Sequence, residues 1–122
     1  MQPIKVTIFE DNKHLRESLY YLISGTEGFA CSEAFENCND LVFQLKKSLP
    51  DVVLMDIEMP GMNGIEAVKI IKQQFSQIQI LMQTVFHDDD NIFNAVCAGA
   101  SGYILKTTSP EGYMEAIRDV YN

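Results

Sequence analysis

Acidic, hydroxyl and ammonium side chains directly follow or end apolar runs at four places in this 122-residue sequence. The clearest is Asp56, because four apolar residues at 52–55 precede it, and Pro60, Gly61 and Gly64 interrupt regular structure soon afterwards. In parallel α/β sheets, ligands bind at the carboxyl ends of the strands, where such an acid would lie. For Asp56 alone, an ordinary turn-capping role is an equally good interpretation. The other three places therefore decide between the two.

The other places carry an acid pair, Glu10 and Asp11, after residues 4–9, then Thr84, and finally Lys106. If the strands are parallel, we expect these side chains to meet Asp56 at one edge of the sheet. Three carboxylates about 4 Å apart repel by about 4 kcal/mol per pair, so the cluster needs a cation. Carboxylate oxygens without His or Cys favour Mg²⁺, Mn²⁺ or Ca²⁺, and a site with room for water and a phosphoryl oxygen favours Mg²⁺.

A metal, the Lys106 ammonium and the Thr84 hydroxyl are the groups that stabilise charge on a transferring phosphoryl group. Asp56 would then be the nucleophile. Taken singly, the acids could begin a helix, Thr84 could end a strand and Lys106 could be a solvated charge. Their expected meeting at four strand ends favours the functional interpretation.

Strand-like and helix-like periodicities alternate along the chain, which predicts βα units around a parallel sheet. We predict five helices and five strands, the strands at residues 4–9, 29–34, 52–56, 79–84 and 102–105. Leu15, Leu19 and Leu22 form the apolar stripe of the first helix. The second, third and fifth helices have the stripes Leu41, Leu45 and Leu49; Ile65, Val68, Ile71 and Phe75; and Tyr113, Ile117 and Val120. The fourth helix is predicted to contain Ile92, Phe93, Val96 and Cys97.

Residues that start and stop helices support this reading. Asn39 is predicted to cap the second helix, and Ser109 followed by Pro110 to begin the last one. The acidic segment 87–90 suits the start of the fourth helix, and Gly99 should end it. Residues 88–90 do not fit a calcium loop, because the ligand positions that should follow are not acidic.

Length and composition predict a single domain over residues 1–122, with 47% hydrophobic and 21% charged residues. The start of the chain lacks the basic and apolar regions of a signal peptide, and no apolar run approaches membrane-spanning length. Three irregularly spaced cysteines fit reduced thiols, so we expect a cytoplasmic protein. A net charge of −8 argues against direct nucleic-acid binding and favours a cation or a protein partner.

Four motifs in this order and spacing resemble the receiver domain of bacterial two-component response regulators. They are FED at 9–11, LMDIEMPGMNG at 54–64, QTVF at 83–86 and AGASGYILK at 98–106. The resemblance covers nearly the whole chain and is greatest to the NarL/LuxR subgroup. It implies a doubly wound (βα)5 fold of the flavodoxin-like type with strand order 2-1-3-4-5.

The resemblance also implies roles for individual residues. Asp56 would accept a phosphoryl group from the phosphohistidine of a sensor histidine kinase. Asp11 and Asp56 would bind Mg²⁺ directly, Glu10 would act through a water molecule, and Glu58 would contribute its main-chain carbonyl. Pro60, Gly61 and Gly64 would shape the loop that presents this carbonyl.

The remaining implied roles concern the phosphorylated state. Thr84 and Lys106 would contact the phosphoryl group, and Tyr103 would turn inward with Thr84 to change the surface of the fourth helix, fifth strand and fifth helix. Glu58 and Phe86 would border the path of the water that removes the phosphoryl group. Thr107 stands where many receivers have proline, which leaves the geometry of that loop open.

Several functions remain possible at this point. The NarL/LuxR resemblance predicts transcriptional control through a DNA-binding domain absent from this chain, with a homodimer on phosphorylation as one option. A stand-alone receiver would instead act by protein contact. Only self-phosphorylation and autodephosphorylation are expected, not turnover of other substrates. A haloacid-dehalogenase-like phosphohydrolase usually has a D-x-D pair after its first strand, where this chain has Glu10-Asp11-Asn12. A domain that binds partners without phosphorylation is the third alternative.

Overall fold

The computed structural model describes residues 2–85 and 89–122. Five parallel strands form one sheet in the order β2-β1-β3-β4-β5, which confirms the doubly wound fold. The strands are β1 (Ile4–Phe9), β2 (Phe29–Phe35), β3 (Val52–Asp56), β4 (Gln79–Thr84) and β5 (Gly102–Leu105). The helices that alternate with them are α1 (Lys13–Ser24), α2 (Leu41–Ser48), α3 (Gly64–Gln74), α4 (Asp89–Ala98) and α5 (Pro110–Tyr121).

The central strand β3 is buried on both faces of the sheet. Val52 and Leu54 pack in a cluster with α1 and α5, whereas Val53 and Met55 pack in a second cluster with α2, α3 and α4. Successive strand residues point to opposite faces, so a strand covered on both sides needs an unbroken apolar sequence. Burial of residues 52–55 thus holds Asp56 at a fixed place on the sheet edge.

Local hydrogen bonds begin three of the helices. The side chains of Asn12, Asn63 and Ser109 accept hydrogen bonds from the backbone N–H groups of α1, α3 and α5, respectively. The predicted cap at Ser109 is confirmed, and Gly99 follows α4 with a φ of 117°, which disfavours other residues. The caps place the start of each helix directly after the strand end or loop that carries site residues.

The predicted limits of α2 are wrong at both ends. Asp40 rather than Asn39 precedes the helix, because the Asp40 carbonyl accepts the first helical hydrogen bond, from the Gln44 N–H at 2.8 Å. Leu49 does not continue the apolar stripe: it follows the helix with a left-handed φ of 46° and its side chain is 63% exposed. Strand β2 also extends one residue beyond the prediction, to Phe35.

None of the helices in the described ranges is both long and apolar enough to cross a membrane.

Gly64 lies where the start of α3 comes close to the end of β3, so a substitution there tests whether this close approach is required. A Cβ atom at this position would overlap the main-chain oxygen of Asp56 and lie 2.9 Å from Ile57 Cα. We expect Gly64→Ala to lower the free energy of unfolding by about 3 kcal/mol, because backbone must move to relieve the overlap. Urea denaturation measures this change.

Gly28→Ala is the matched control. Gly28 has a φ of 91° but open space around it, so this variant should lose only about 1–2 kcal/mol from backbone strain. Equal losses in the two variants would contradict the close approach at Gly64.

Candidate functional site

The ends of four strands bring the predicted site residues together. Asp56 ends β3 and Thr84 ends β4, while Glu10 follows β1 and Lys106 follows β5. One carboxylate oxygen from each of Glu10, Asp11 and Asp56 lies within 4.8 Å of the other two. The structure therefore places the three acids in one cluster, as expected from the strand ends.

Lys106 is the cation that contacts this cluster. Its Nζ lies 2.8 Å from Glu10 Oε1 and 3.1 Å from Asp56 Oδ2, and its side chain is only 15% exposed. The Lys106 N–H donates to the Thr84 carbonyl across the edge of the sheet, at 2.8 Å. The loop containing Thr107 thus allows the lysine to reach both acids.

Asp56 is 2% exposed, and its two oxygens have different surroundings. Oδ1 accepts a hydrogen bond from the Glu58 N–H at 3.3 Å. Within the described ranges, Oδ2 has no hydrogen bond of good geometry, so its short contact with Lys106 is an ion pair. A buried oxygen with spare acceptor capacity beside two other carboxylates suits a hard divalent cation. The residues present therefore fit Mg²⁺.

Glu10 is fully buried and hydrogen-bonded at both carboxylate oxygens. Oε1 accepts from the Gln83 side-chain amide at 2.9 Å in addition to its ion pair with Lys106, and Oε2 accepts from the Asn12 N–H at 3.0 Å. These donors fix the orientation of the carboxylate. Glu10 is thus a well-held acid beneath the more exposed Asp11.

Three residues of this environment were not predicted. The Arg16 guanidinium donates to the carbonyl of Glu10 at 2.9 Å, which fixes the backbone after β1. Gln83 contacts Glu10, and the Tyr113 hydroxyl donates to Gln83 Oε1 at 3.0 Å. The signal for Gln83 was an amide inside an otherwise buried strand, whereas Tyr113 was expected only as an apolar side chain.

A cleft of about 320 Å³ opens over the acids and gives a ligand access to them. Tyr103 is 40% exposed, so its side chain is not turned fully inward. Phe86 lies outside the described residues, and its predicted role remains a prediction, as does the role of the Glu58 carbonyl. The cleft is lined by Asp11, Asn12, Asp56, Glu58, Thr84, Val85 and Lys106.

The charges of the site oppose the ionisation of Asp56. Burial, with the nearby charge of Glu10, raises the pKa of Asp56 to about 8, although Lys106 acts in the other direction. Burial would also raise the pKa of Asp11, but hydrogen bonds with Asp56 and Glu10 and the charge of Lys106 outweigh it and lower that pKa. The pKa of Lys106 is raised because its two acidic partners outweigh its own burial. The lysine therefore stays charged at neutral pH.

We expect Asp56→Asn to stabilise the metal-free protein by about 1–3 kcal/mol at pH 8. The Asp56 pKa rises from 3.8 when unfolded to about 8 when folded, so the wild type loses stability as pH rises through this range. The neutral amide removes this loss but also one partner of Lys106, which limits the gain. Urea denaturation with a chelator at pH 5 and pH 8 should show an advantage that grows with pH.

The exposed Asp119 provides a control, since Asp119→Asn should change stability little at either pH. An Asp56→Asn protein no more stable than the wild type at pH 8 would contradict the unfavourable ionisation of Asp56.

Curated relatives of this chain include transcription regulators. The chain is 36% identical over 115 residues to an uncharacterised transcriptional regulatory protein, YxjL, of Bacillus subtilis, covering 94% of this chain and 53% of the relative. It is 32% identical over 120 residues to the response regulator protein VraR of Staphylococcus saprophyticus, covering 98% and 57%. The chain thus spans about half the length of the curated relatives it matches.

A solved structure of a response regulator has the same fold as this chain. A DNA-binding response regulator of the LuxR family from Staphylococcus aureus superposes with a TM-score of 0.90 at 31% identity, covering 98% of this chain and 99% of that one. Residues 6–118 match the family described as response regulator receiver domain. With its acid cluster and lysine at the strand ends, the chain belongs to the response regulator receiver domain family.

Proposed function

We propose that Asp56 is the phosphoacceptor of this receiver domain and takes its phosphoryl group from the phosphohistidine of a sensor histidine kinase. The observation that supports this most directly is the pairing of the buried Asp56 Oδ2 with Lys106 at 3.1 Å, since both residues line the cleft. Attack by this oxygen on phosphorus breaks the bond to the histidine nitrogen, which keeps the bonding electron pair. Two-component signalling follows from family membership; the identity of the acceptor is our proposal.

The acid cluster supports Mg²⁺ as the cofactor. Asp11 and Asp56 would hold the ion directly, Glu10 through a water molecule, and Glu58 through its main-chain carbonyl. When bound, the ion neutralises charge on the acids and on the phosphoryl oxygens. Asp11 is the most exposed of the three acids and borders the cleft, so it is accessible to a hydrated ion.

Thr84 and Lys106 would stabilise the phosphoryl group after transfer. Thr84 ends β4 and lines the cleft, and the backbone hydrogen bond from the Lys106 N–H to the Thr84 carbonyl links the two residues. Tyr103 on β5 would turn inward as Thr84 moves toward the phosphoryl group. This pair would convert a local change of charge into a change of surface.

The surface that responds is proposed to control transcription. YxjL is named a transcriptional regulatory protein, and the LuxR-family neighbour is named a DNA-binding response regulator. The two curated relatives also extend to about twice the length of this chain. Phe93 and Val96 on α4 are 66% and 53% exposed and Tyr103 on β5 is 40% exposed, which supports a protein contact such as a homodimer. A helix-turn-helix sequence after Asn122 in the coding sequence would support transcriptional output. A cytoplasmic location is part of the proposal and is supported by the three free thiols.

Phosphorylation by a small donor tests the proposed acceptor. With acetyl phosphate or phosphoramidate, we expect Mg²⁺-dependent formation of one acyl phosphate, because the site holds its own nucleophile and ammonium. Asp56→Asn should abolish the product, and Asp11→Asn should raise the Mg²⁺ concentration needed by at least about tenfold. Intact-protein mass spectrometry measures the added phosphoryl group.

Asp119→Asn again serves as the control and should be phosphorylated like the wild type, since this side chain is exposed. Phosphorylation that persists in Asp56→Asn would reject Asp56 as the acceptor.

The lifetime of the acyl phosphate tests the modulating positions. Phe86 stands two residues after Thr84 and Glu58 two after Asp56, where both would border the path of the attacking water. We expect Phe86→Ala to change the autodephosphorylation rate at least threefold, because a smaller side chain alters water access. Phe43→Ala, at an exposed position on α2, should leave the rate unchanged. A Phe86→Ala rate within twofold of the wild type would exclude this role.

A further inference from the structure

A continuous line of polar side chains crosses the otherwise apolar cluster between the sheet and α5. The Tyr113 hydroxyl donates to Gln83 Oε1 at 3.0 Å, and Gln83 Nε2 donates to Glu10 Oε1 at 2.9 Å. Gln83 and Glu10 are fully buried, and Tyr113 is 3% exposed. Burying polar groups raises the free energy of the folded state unless each of them has a hydrogen-bond partner. This line of polar side chains therefore requires an explanation beyond packing.

The chemical nature of the three side chains determines which group donates in each of these two hydrogen bonds. Glu10 Oε1, which pairs with the Lys106 ammonium, accepts from the NH₂ group of Gln83. The Gln83 oxygen then faces Tyr113, whose hydroxyl must donate. Burial, assisted by the charges of Glu10 and Asp56, raises the pKa of Tyr113 to about 12, which keeps this donor protonated. The amide therefore has one favoured orientation, with its donor group toward the acid cluster.

We propose that Gln83 and Tyr113 are positioning residues that hold Glu10 in place for the metal site, with Tyr113 acting through Gln83. This inference rests on the proposed Mg²⁺-dependent phosphoacceptor function.

The need for such positioning follows from the shared lysine. Lys106 Nζ lies closer to Glu10 Oε1 than to Asp56 Oδ2, at 2.8 Å against 3.1 Å. When the ammonium turns toward a phosphoryl group on Asp56, Glu10 Oε1 loses that partner. Gln83 is then the remaining side-chain donor to this oxygen among the contacts described, and it keeps the carboxylate oriented. Without the amide, Glu10 Oε1 would depend on Lys106 as its side-chain partner, and the orientation of the carboxylate would follow the lysine.

These hydrogen bonds also connect the acid cluster to both ends of the loop between β5 and α5. Lys106 directly follows β5 and contacts Glu10, whereas Tyr113 lies near the start of α5 and reaches Glu10 through Gln83. The Tyr113 N–H donates to the Ser109 carbonyl in the first turn of α5 at 2.9 Å. A shift of Glu10 is therefore mechanically linked to the start of α5.

Direct ion binding tests the inference without relying on phosphorylation. Mn²⁺ serves as the probe, and the electron paramagnetic resonance signal of the free ion gives its Kd. We expect Gln83→Leu to weaken binding at least threefold and Tyr113→Phe at least twofold, because partners of metal-site carboxylates set their orientation. The double variant should bind as Gln83→Leu does, since Tyr113 acts through the amide.

Ile117→Val is the matched control for stability, because this residue is fully buried on the same helix without a polar contact. It should lower the melting temperature but bind Mn²⁺ like the wild type. A change below threefold in Gln83→Leu, or additive effects in the double variant, overturns the proposal. Failure of the wild type itself to bind Mn²⁺ would instead reject the proposed metal site.

A spectroscopic measurement covers the case in which Gln83→Leu does not fold. Tyr113→Phe keeps the ring in the core and removes only the hydroxyl. We expect it to shift the ¹⁵N–¹H resonances of the Gln83 side-chain amide and to weaken Mn²⁺ binding at least twofold. Either an unshifted amide or a wild-type Kd in this variant overturns the proposal.

Discussion

One ammonium group shared between two buried carboxylates is the constraint on which this structure depends. Glu10 and Asp56 are almost inaccessible to water, and Asp11 lies beside them. The Lys106 ammonium forms an ion pair with each of the two buried acids. Burying an excess of negative charge is unfavourable, so the favourable energy must come from elsewhere. The two apolar clusters on the faces of the sheet supply it. The fold thus holds together acids that would otherwise separate.

The same constraint explains why the backbone is so closely packed near the acids. The start of α3 approaches the end of β3 at Gly64 more closely than a Cβ atom would permit. At the end of β1, the Arg16 guanidinium donates to the Glu10 carbonyl, and the Asn12 N–H donates to the Glu10 side chain. Each contact limits the movement by which the carboxylates could reduce their repulsion. These contacts therefore hold the acid cluster in a fixed arrangement.

Signals local in sequence predicted most of the fold. Apolar runs predicted the five strands, and amphipathic stripes predicted helices between them. The Ser109 cap was confirmed because it depends only on nearby residues. The predicted cap at Asn39 is wrong because the helix begins one residue later, where the Asp40 carbonyl accepts its first hydrogen bond. The strand order came from family resemblance, since periodicity does not determine which strands pair. The Tyr113–Gln83 bond joins residues 30 apart on different elements, so no local pattern could reveal it.

The shared ammonium also explains how one covalent change could alter a whole surface. Lys106 binds two acids in two different directions, so any new charge on Asp56 changes how the ammonium divides its contacts between them. Its backbone is bonded to Thr84, and β5 leads from the exposed Tyr103 directly into the lysine. A redistribution at the ammonium would therefore act on β4, β5 and the following loop together. Because Gln83 and Asn12 hold Glu10, we would expect the resulting movement to be directed toward Asp56 and the surface of α4, β5 and α5.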